Sequence, residues 1–140
     1  MKRTKRSKLS KRKDDVSSAY WKKRADKAWS EAVRLNGHCV IGGPCSGQLE
    51  AHHLIPRSNL AHRHDLMNGV PLCSLHHQFS NKLSAHGAPL AFEAWLRDNL
   101  SERRAWVSLH HNDILTDKPD YKARYEQLQS VIKARKAAVQ

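Results

Sequence analysis

Four residues in two pairs constrain this chain more than anything else in it: Cys39 with Cys45, then Cys73 with His76. The first pair brackets a Gly-Gly-Pro turn, and the second is spaced Cys-x2-His. Thiolate and imidazole are the ligands that Zn2+ takes in tetrahedral structural sites. Two loops supplying two ligands each would complete a Cys3His site, so any fold must bring both loops to one point. Five residues separate Cys39 from Cys45, wider than the usual knuckle, and that pair alone is a weak signal. The downstream pair gives it strength. Three cysteines cannot all pair within the chain, and their histidine neighbours favour metal over disulfide and a reducing compartment.

The span between the pairs is dense in proton-moving residues. Leu49 to Ile55 predicts a short strand and Val70 to Leu72 a second. The loop Pro56 to Asn68 lies between them, and Asn68-Gly69 predicts a turn. Ser74 to about Leu83 predicts a helix. Strand alternation sends His52 and His53 to opposite faces, so one can face a cation while the other faces water. A closed structural site needs four ligands, which leaves His52, His53 and His77 over. His62 and His64 sit with Arg63 in the loop, where contact to phosphate or metal and simple solvation weigh equally.

The charge narrows the partner. Among 140 residues, 25 Lys and Arg stand against 13 Asp and Glu, a formal net charge of +12. That balance points to a polyanion, nucleic acid first. Residues 1–15 read as a disordered basic tail carrying Lys2, Arg3, Lys5, Arg6, Lys8, Lys11, Arg12 and Lys13, suited to neutralising phosphates. Arg57 is placed to grip a phosphate in a forked contact, and Arg63 joins it as a nucleic-acid contact. No apolar run is long enough for a membrane span, and no apolar core follows the basic N-terminus as a secretory signal requires.

Residues 16–140 read as one α+β domain: an N-terminal helix over 16–35, a core over 36–85 and C-terminal helices over 90–137. In the first helix Trp21, Ala25, Ala28, Trp29, Ala32 and Leu35 recur at helical spacing, with Gly37 suited to a left-handed cap. Leu90 to Leu100 buries Phe92, Trp95 and Leu96, and a following helix turns Trp106 and Leu109 inward. The last helix, from Pro119 to about Ala137, uses Tyr121, Tyr125, Leu128 and Ile132. His110-His111 has no partner at ligand spacing and reads as surface polar.

The span Cys39 to about Asn81 resembles the HNH endonucleases, the ββα-metal nucleases. The resemblance rests on Cys39 and Cys45, His52-His53, Asn68, then Cys73, His76 and His77. The string PLCSLHHQ resembles phage-encoded HNH proteins and phage recombination-enhancing nucleases. The chain departs from the pattern in the width of its first knuckle, in His76 where cysteine is usual, and in His52 where aspartate is common. The resemblance implies a small ββα-metal core with a zinc knuckle, flanked by helices. It implies DNA as substrate, a phage or recombination protein as a further partner, and the cytoplasm of a host cell. Phosphodiester hydrolysis needs a base to activate water and a cation against the developing charge. The resemblance makes His53 the base and His52 and His77 ligands of a catalytic Mg2+, Mn2+, Ni2+ or Zn2+. Asn81, one helical turn after His77, would be a third ligand. Asn68 would hold the hairpin and orient the base, with the carbonyl of Leu54 or a neighbour anchoring the His53 ring. A non-catalytic zinc-bound nucleic-acid-binding protein is the competing reading, and a nuclease toxin the third.

Overall fold

The computed structural model describes residues 7–35 and 37–139. Lys2, Arg3, Lys5, Arg6 and Asn36 lie outside them. Helix α2, Ala19–Arg34, is the spine. Its small and aromatic positions Ala25, Ala28, Trp29, Ala32 and Val33 fall on one face and are buried. Small residues let a neighbouring helix approach closely, and α5, Tyr121–Ala137, fills that space with Leu128 and Ile132.

The chain is α+β. Strand β1, Leu49–His53, pairs antiparallel with β2, Gly69–Cys73, in a two-stranded sheet with His52 opposite Val70 and His53 opposite Gly69. A lone hairpin is marginal in water, so it must be covered. Trp29 and Val33 of α2 cover it on one side. On the other, Val70, Leu72 and Cys73 pack with Phe92 of α3, Pro89–Asn99. Val70, Leu72 and Ile55 are essentially sealed, each contributing about 1.5–3 kcal/mol of burial. Helix α4, Ser101–His110, packs beside α3 and the strand connection.

Several local expectations are corrected. Part of the tail read as disordered is a helix, α1, Lys8–Asp14. Ser7 caps its start and basic Lys11, Arg12 and Lys13 complement the dipole at its end. Ser18, just before α2, and Trp21 within it donate to the carbonyls of Arg12 and Lys13 at 2.7 and 2.9 Å. Asn68-Gly69 makes no two-residue turn: Leu66–Asn68 is a 3-10 turn and Gly69 is extended, φ −119°. Glycine is required there for room. A Cβ would meet Val33 Cγ2 at 2.5 Å and Trp29 Cζ2 at 2.7 Å. The helix after β2 is one wide π-type turn, Leu75–Phe79, closed by Ser80 N–H to the Leu75 carbonyl at 2.8 Å. Gly37 is not left-handed; the glycines with positive φ are Gly42, Gly43 and Gly47. Leu109 is 74% exposed, because α4 turns Trp106 rather than Leu109 toward the loop.

Candidate functional site

The two ligand pairs meet. The loop holding Cys39 and Cys45 is tied to β2 by Val40 N–H to the Pro71 carbonyl at 3.0 Å. Its far end folds over the start of the π turn through Ser74 and Leu75 N–H to the carbonyls of Gln48 and Ser46. Gly47, at φ 82°, permits that approach, since a Cβ there would lie 2.4 Å from Ser74 Cβ. The result sets Cys39, Cys45 and Cys73 Sγ at 3.5, 3.8 and 3.2 Å from His76 Nδ1. In a tetrahedron with Zn–S about 2.3 Å and Zn–N about 2.0–2.1 Å, an S–N edge is about 3.6 Å. The donor set therefore fits a metal ion without rearrangement. The thiols crowd one another. Desolvation, then the neighbouring Cys73 and Cys39, push the Cys45 thiol up to about 12. At Cys73 burial acts the same way, but N–H groups of His76 and Ser46 outweigh it and the shift is downward. Three thiolates side by side need a shared cation.

A second cluster lies across the sheet. His52 and His53 point to opposite faces. His53 stacks on Trp29, with ring centroids 3.7 Å apart and planes 10° from parallel. Its Nε2 lies 2.8 Å from the carbonyl of Arg63 and donates to it, which leaves Nδ1 as the proton acceptor. The anchoring carbonyl is thus Arg63's, not that of Leu54 or a neighbour. Burial lowers the His53 pKa, partly offset by that hydrogen bond, so the ring is neutral near pH 7.

On the opposite face His52 meets His77 and His86, with ring centroids 4.9–5.1 Å apart and nitrogens within 4.8 Å of one another. Burial first, then the charges of His77, His86 and His53, lower the His52 pKa to about 3. A neutral imidazole is the metal-binding form. His77 Nδ1 donates to Glu50 Oε2 at 3.0 Å, an arrangement that fixes the ring and leaves Nε2 free. His52, His53, His77, His86 and Arg57 all line one cleft of about 590 Å³.

His86 is the residue that sequence reasoning missed, and Asn81 is the one it misplaced. The π turn ends at Phe79 and Ser80 is extended, so Asn81 is not one helical turn beyond His77; it is exposed. The chain instead doubles back. Ala85 and His86 N–H bond to the carbonyls of His76 and His77, both at 2.9 Å, and buried Ser84 links the Ser80 carbonyl to Gly87 N–H. The only sequence signal was Ser80, Ser84 and Gly87 around the histidine.

Asn68 is fully buried. Its side chain accepts from Ile55 N–H and donates to the carbonyls of Ile55 and His62, both at 3.0 Å, clasping the loop that carries the His53 anchor. Arg57 is exposed at the cleft. Arg63 is corrected: it is 8% exposed, and its fork grips both oxygens of Asp26 at 2.8 Å while Nη1 donates to the Arg57 carbonyl. It faces inward and is not open to a nucleic acid. His64 is buried on the same Asp26 at 2.7 Å. Lys8, Lys11, Arg12 and Lys13 are exposed on α1. No helix among the described residues is long and apolar enough to cross a membrane. Comparison with protein-family models, with curated proteins and with solved structures finds no match to this chain.

Proposed function

We propose that the chain is a metal-dependent HNH endonuclease of the ββα-metal type that hydrolyses DNA phosphodiester bonds. The observation that carries this reading is the pairing, in one cleft, of a fixed neutral His53 with the His52, His77 and His86 cluster. Its phage origin and host-cytoplasm setting rest on the PLCSLHHQ resemblance and the unpaired cysteines alone. The Cys3His cluster is read as structural zinc, worth about 10–16 kcal/mol in small zinc domains near neutral pH.

In this reading His53 Nδ1 takes a proton from the attacking water, and the Arg63 carbonyl keeps the ring from turning away. Trp29 stacking fixes the plane of that ring. Arg57 binds the phosphate from the cleft wall. His52, His77 and His86 hold a divalent cation, which when bound supplies positive charge against the developing phosphate charge. Three imidazoles suit Mn2+, Co2+, Ni2+ or Zn2+ better than Mg2+, which prefers oxygen. Asn81 takes no part.

Nicking of supercoiled plasmid under titrated metal tests the roles. His53→Ala should lose about 10²–10⁴-fold in rate with metal binding intact. His77→Ala and His86→Ala should lose metal affinity and recover partly at high metal, and Asn81→Ala should cleave like the wild type. Wild-type cleavage by His53→Ala would overturn the assignment. A protein that binds DNA yet nicks under no divalent ion would be the non-catalytic zinc module.

A further inference from the structure

We propose that His62, His110 and Asp113 form a further metal site, for a transition ion such as Zn2+, which staples the β1–β2 loop to the end of α4. It is separate from the Cys3His cluster and from the histidine cleft.

The three side chains come from two segments, His62 from the β1–β2 loop and His110 with Asp113 from the end of α4 and the turn after it, and converge on one point. His62 Nε2 and His110 Nδ1 each lie 2.7 Å from the same oxygen, Asp113 Oδ2. The three donor atoms lie within 4.8 Å of one another. The two imidazoles are 5.0 Å apart, and each packs on Trp106 with ring centroids 5.0 Å away. Their orientation is therefore held by an apolar ring. Asp113 is held as well: Asn59 Nδ2 donates to its carbonyl at 3.2 Å and to that of His111 at 3.3 Å. The other nitrogen of His62, Nδ1, faces the Asp65 carboxylate at 3.6 Å. In the structure Nε2 donates to Asp113 Oδ2; an ion would take the place of that proton, and the Asp65 carboxylate behind the ring would favour the remaining proton on Nδ1.

Two imidazoles and one carboxylate are the donor set of open zinc sites, where solvent completes the tetrahedron. The His62 side chain is 14% exposed and that of His110 is 37% exposed, so the cluster is walled on one side and open to water on the other. Donors around a tetrahedral ion with bonds of about 2.0–2.2 Å lie about 3.3–3.6 Å apart. Each 2.7 Å contact must open by less than about 1 Å to admit one. Such a shift is within reach of the Asp113 side chain, which is 45% exposed.

The staple has a consequence that rests on the nuclease reading. His62 is next to Arg63, whose carbonyl anchors His53, and its own carbonyl accepts from Asn68 Nδ2. An ion on His62 would fix the loop that sets the base.

The test is zinc content of untagged, full-length protein after loading and dialysis. His110→Ala and Asp113→Asn should each lose one equivalent relative to the wild type. The cobalt–thiolate absorption of the Cys3His cluster should be unchanged in both. In the wild type, zinc titration should shift the ring nitrogens His62 Nε2 and His110 Nδ1 in 15N NMR spectra, a readout that needs no variant. Unchanged zinc content in both variants, or unmoved His62 and His110 nitrogens, overturns the proposal. Loss of an equivalent in His77→Ala but none in His110→Ala would sink this site and leave the nuclease reading standing. The reverse pattern would keep this site and sink the catalytic-metal assignment.

Discussion

Asp26 decides what Arg63 can do. Its two oxygens take the guanidinium fork, and one of them also meets His64. Burial would raise the carboxyl's pKa, but hydrogen bonds from Arg63 and His64, with their charges, hold it well below the usual carboxylate range. Asp26→Asn leaves Arg63 buried without its counter-charge. Breaking a buried pair this way costs about 3–5 kcal/mol. The Asp26 side chain is 36% exposed, so solvent screening brings the expected loss to about 2–3 kcal/mol. Because the folded pKa lies below the unfolded value near ~3.9, the unfolded chain binds the extra proton between the two. The Asp26 contribution is thus complete above the unfolded value and lost as pH falls below it. Urea melts should show the wild-type advantage at pH 7 and a shrinking one below about pH 4. A gap independent of pH would mean that packing alone separates the two proteins. At this scale sequence reading is strong for residues whose chemistry is local: the cysteines, His52, His53 and His77 were all legible. It is weak where a partner sits on another element. Nothing in the loop AHRHD announces that Arg63 will meet an aspartate on the polar side of α2.

At the scale of elements, the site depends on how closely α2 rides over the end of β2. Trp29 can stack on His53 only because Gly69, across the strand pair from His53, has no side chain. Gly69→Ala places a methyl 2.5 Å from Val33 Cγ2 and 2.7 Å from the indole. Overpacking of this kind costs about 1–3 kcal/mol. Because the tryptophan must move, on the nuclease reading the variant should lower the nicking rate beyond what its reduced stability explains, measured well below its melting temperature. A destabilised variant with wild-type turnover would show that the stacking does not set His53. The two strands and the helices α2 to α5 were legible from periodicity, which reports burial over whole elements, whereas α1, with no buried face, was not. Nor was the turn chemistry. Asn-Gly predicts a hairpin turn from local preference, whereas here glycine answers to a helix distant in sequence. The end of the π turn was likewise invisible, and with it the exposure of Asn81 and the approach of His86 to His52 and His77. Whether the chain continues as helix or doubles back is decided by Ser80 and Ser84 accepting and donating across the turn.

For the whole molecule the governing quantity is the +12 charge and where it is displayed. Its sign was legible from composition, but its layout was not, because composition cannot separate a buried Arg63 from an exposed Lys11. The described basic residues of α1, Lys8, Lys11, Arg12 and Lys13, all face solvent. Their helix is seated through backbone carbonyls of Arg12 and Lys13 held by Ser18 and Trp21. Those backbone bonds do not use the side-chain charges, and of the contacts to α2 neutralisation removes the one from Lys13 Nζ over the Tyr20 ring at 5.7 Å. The variant Lys8→Gln, Lys11→Gln, Arg12→Gln, Lys13→Gln therefore tests charge with the backbone seat kept. If α1 lies along duplex DNA, every phosphate left without its cation reduces the log–log salt slope by about 0.9, up to about 3.6 for all four. Affinity should fall most at low salt and converge with the wild type as salt rises. On the nuclease reading, cleavage per bound complex should hold, since none of the four lines the cleft. The measurement is fluorescence anisotropy of a short duplex across a salt series, with far-UV circular dichroism to confirm that α1 persists. An unchanged slope would place α1 away from the DNA and leave Arg57 and the cleft rim as the grip to examine.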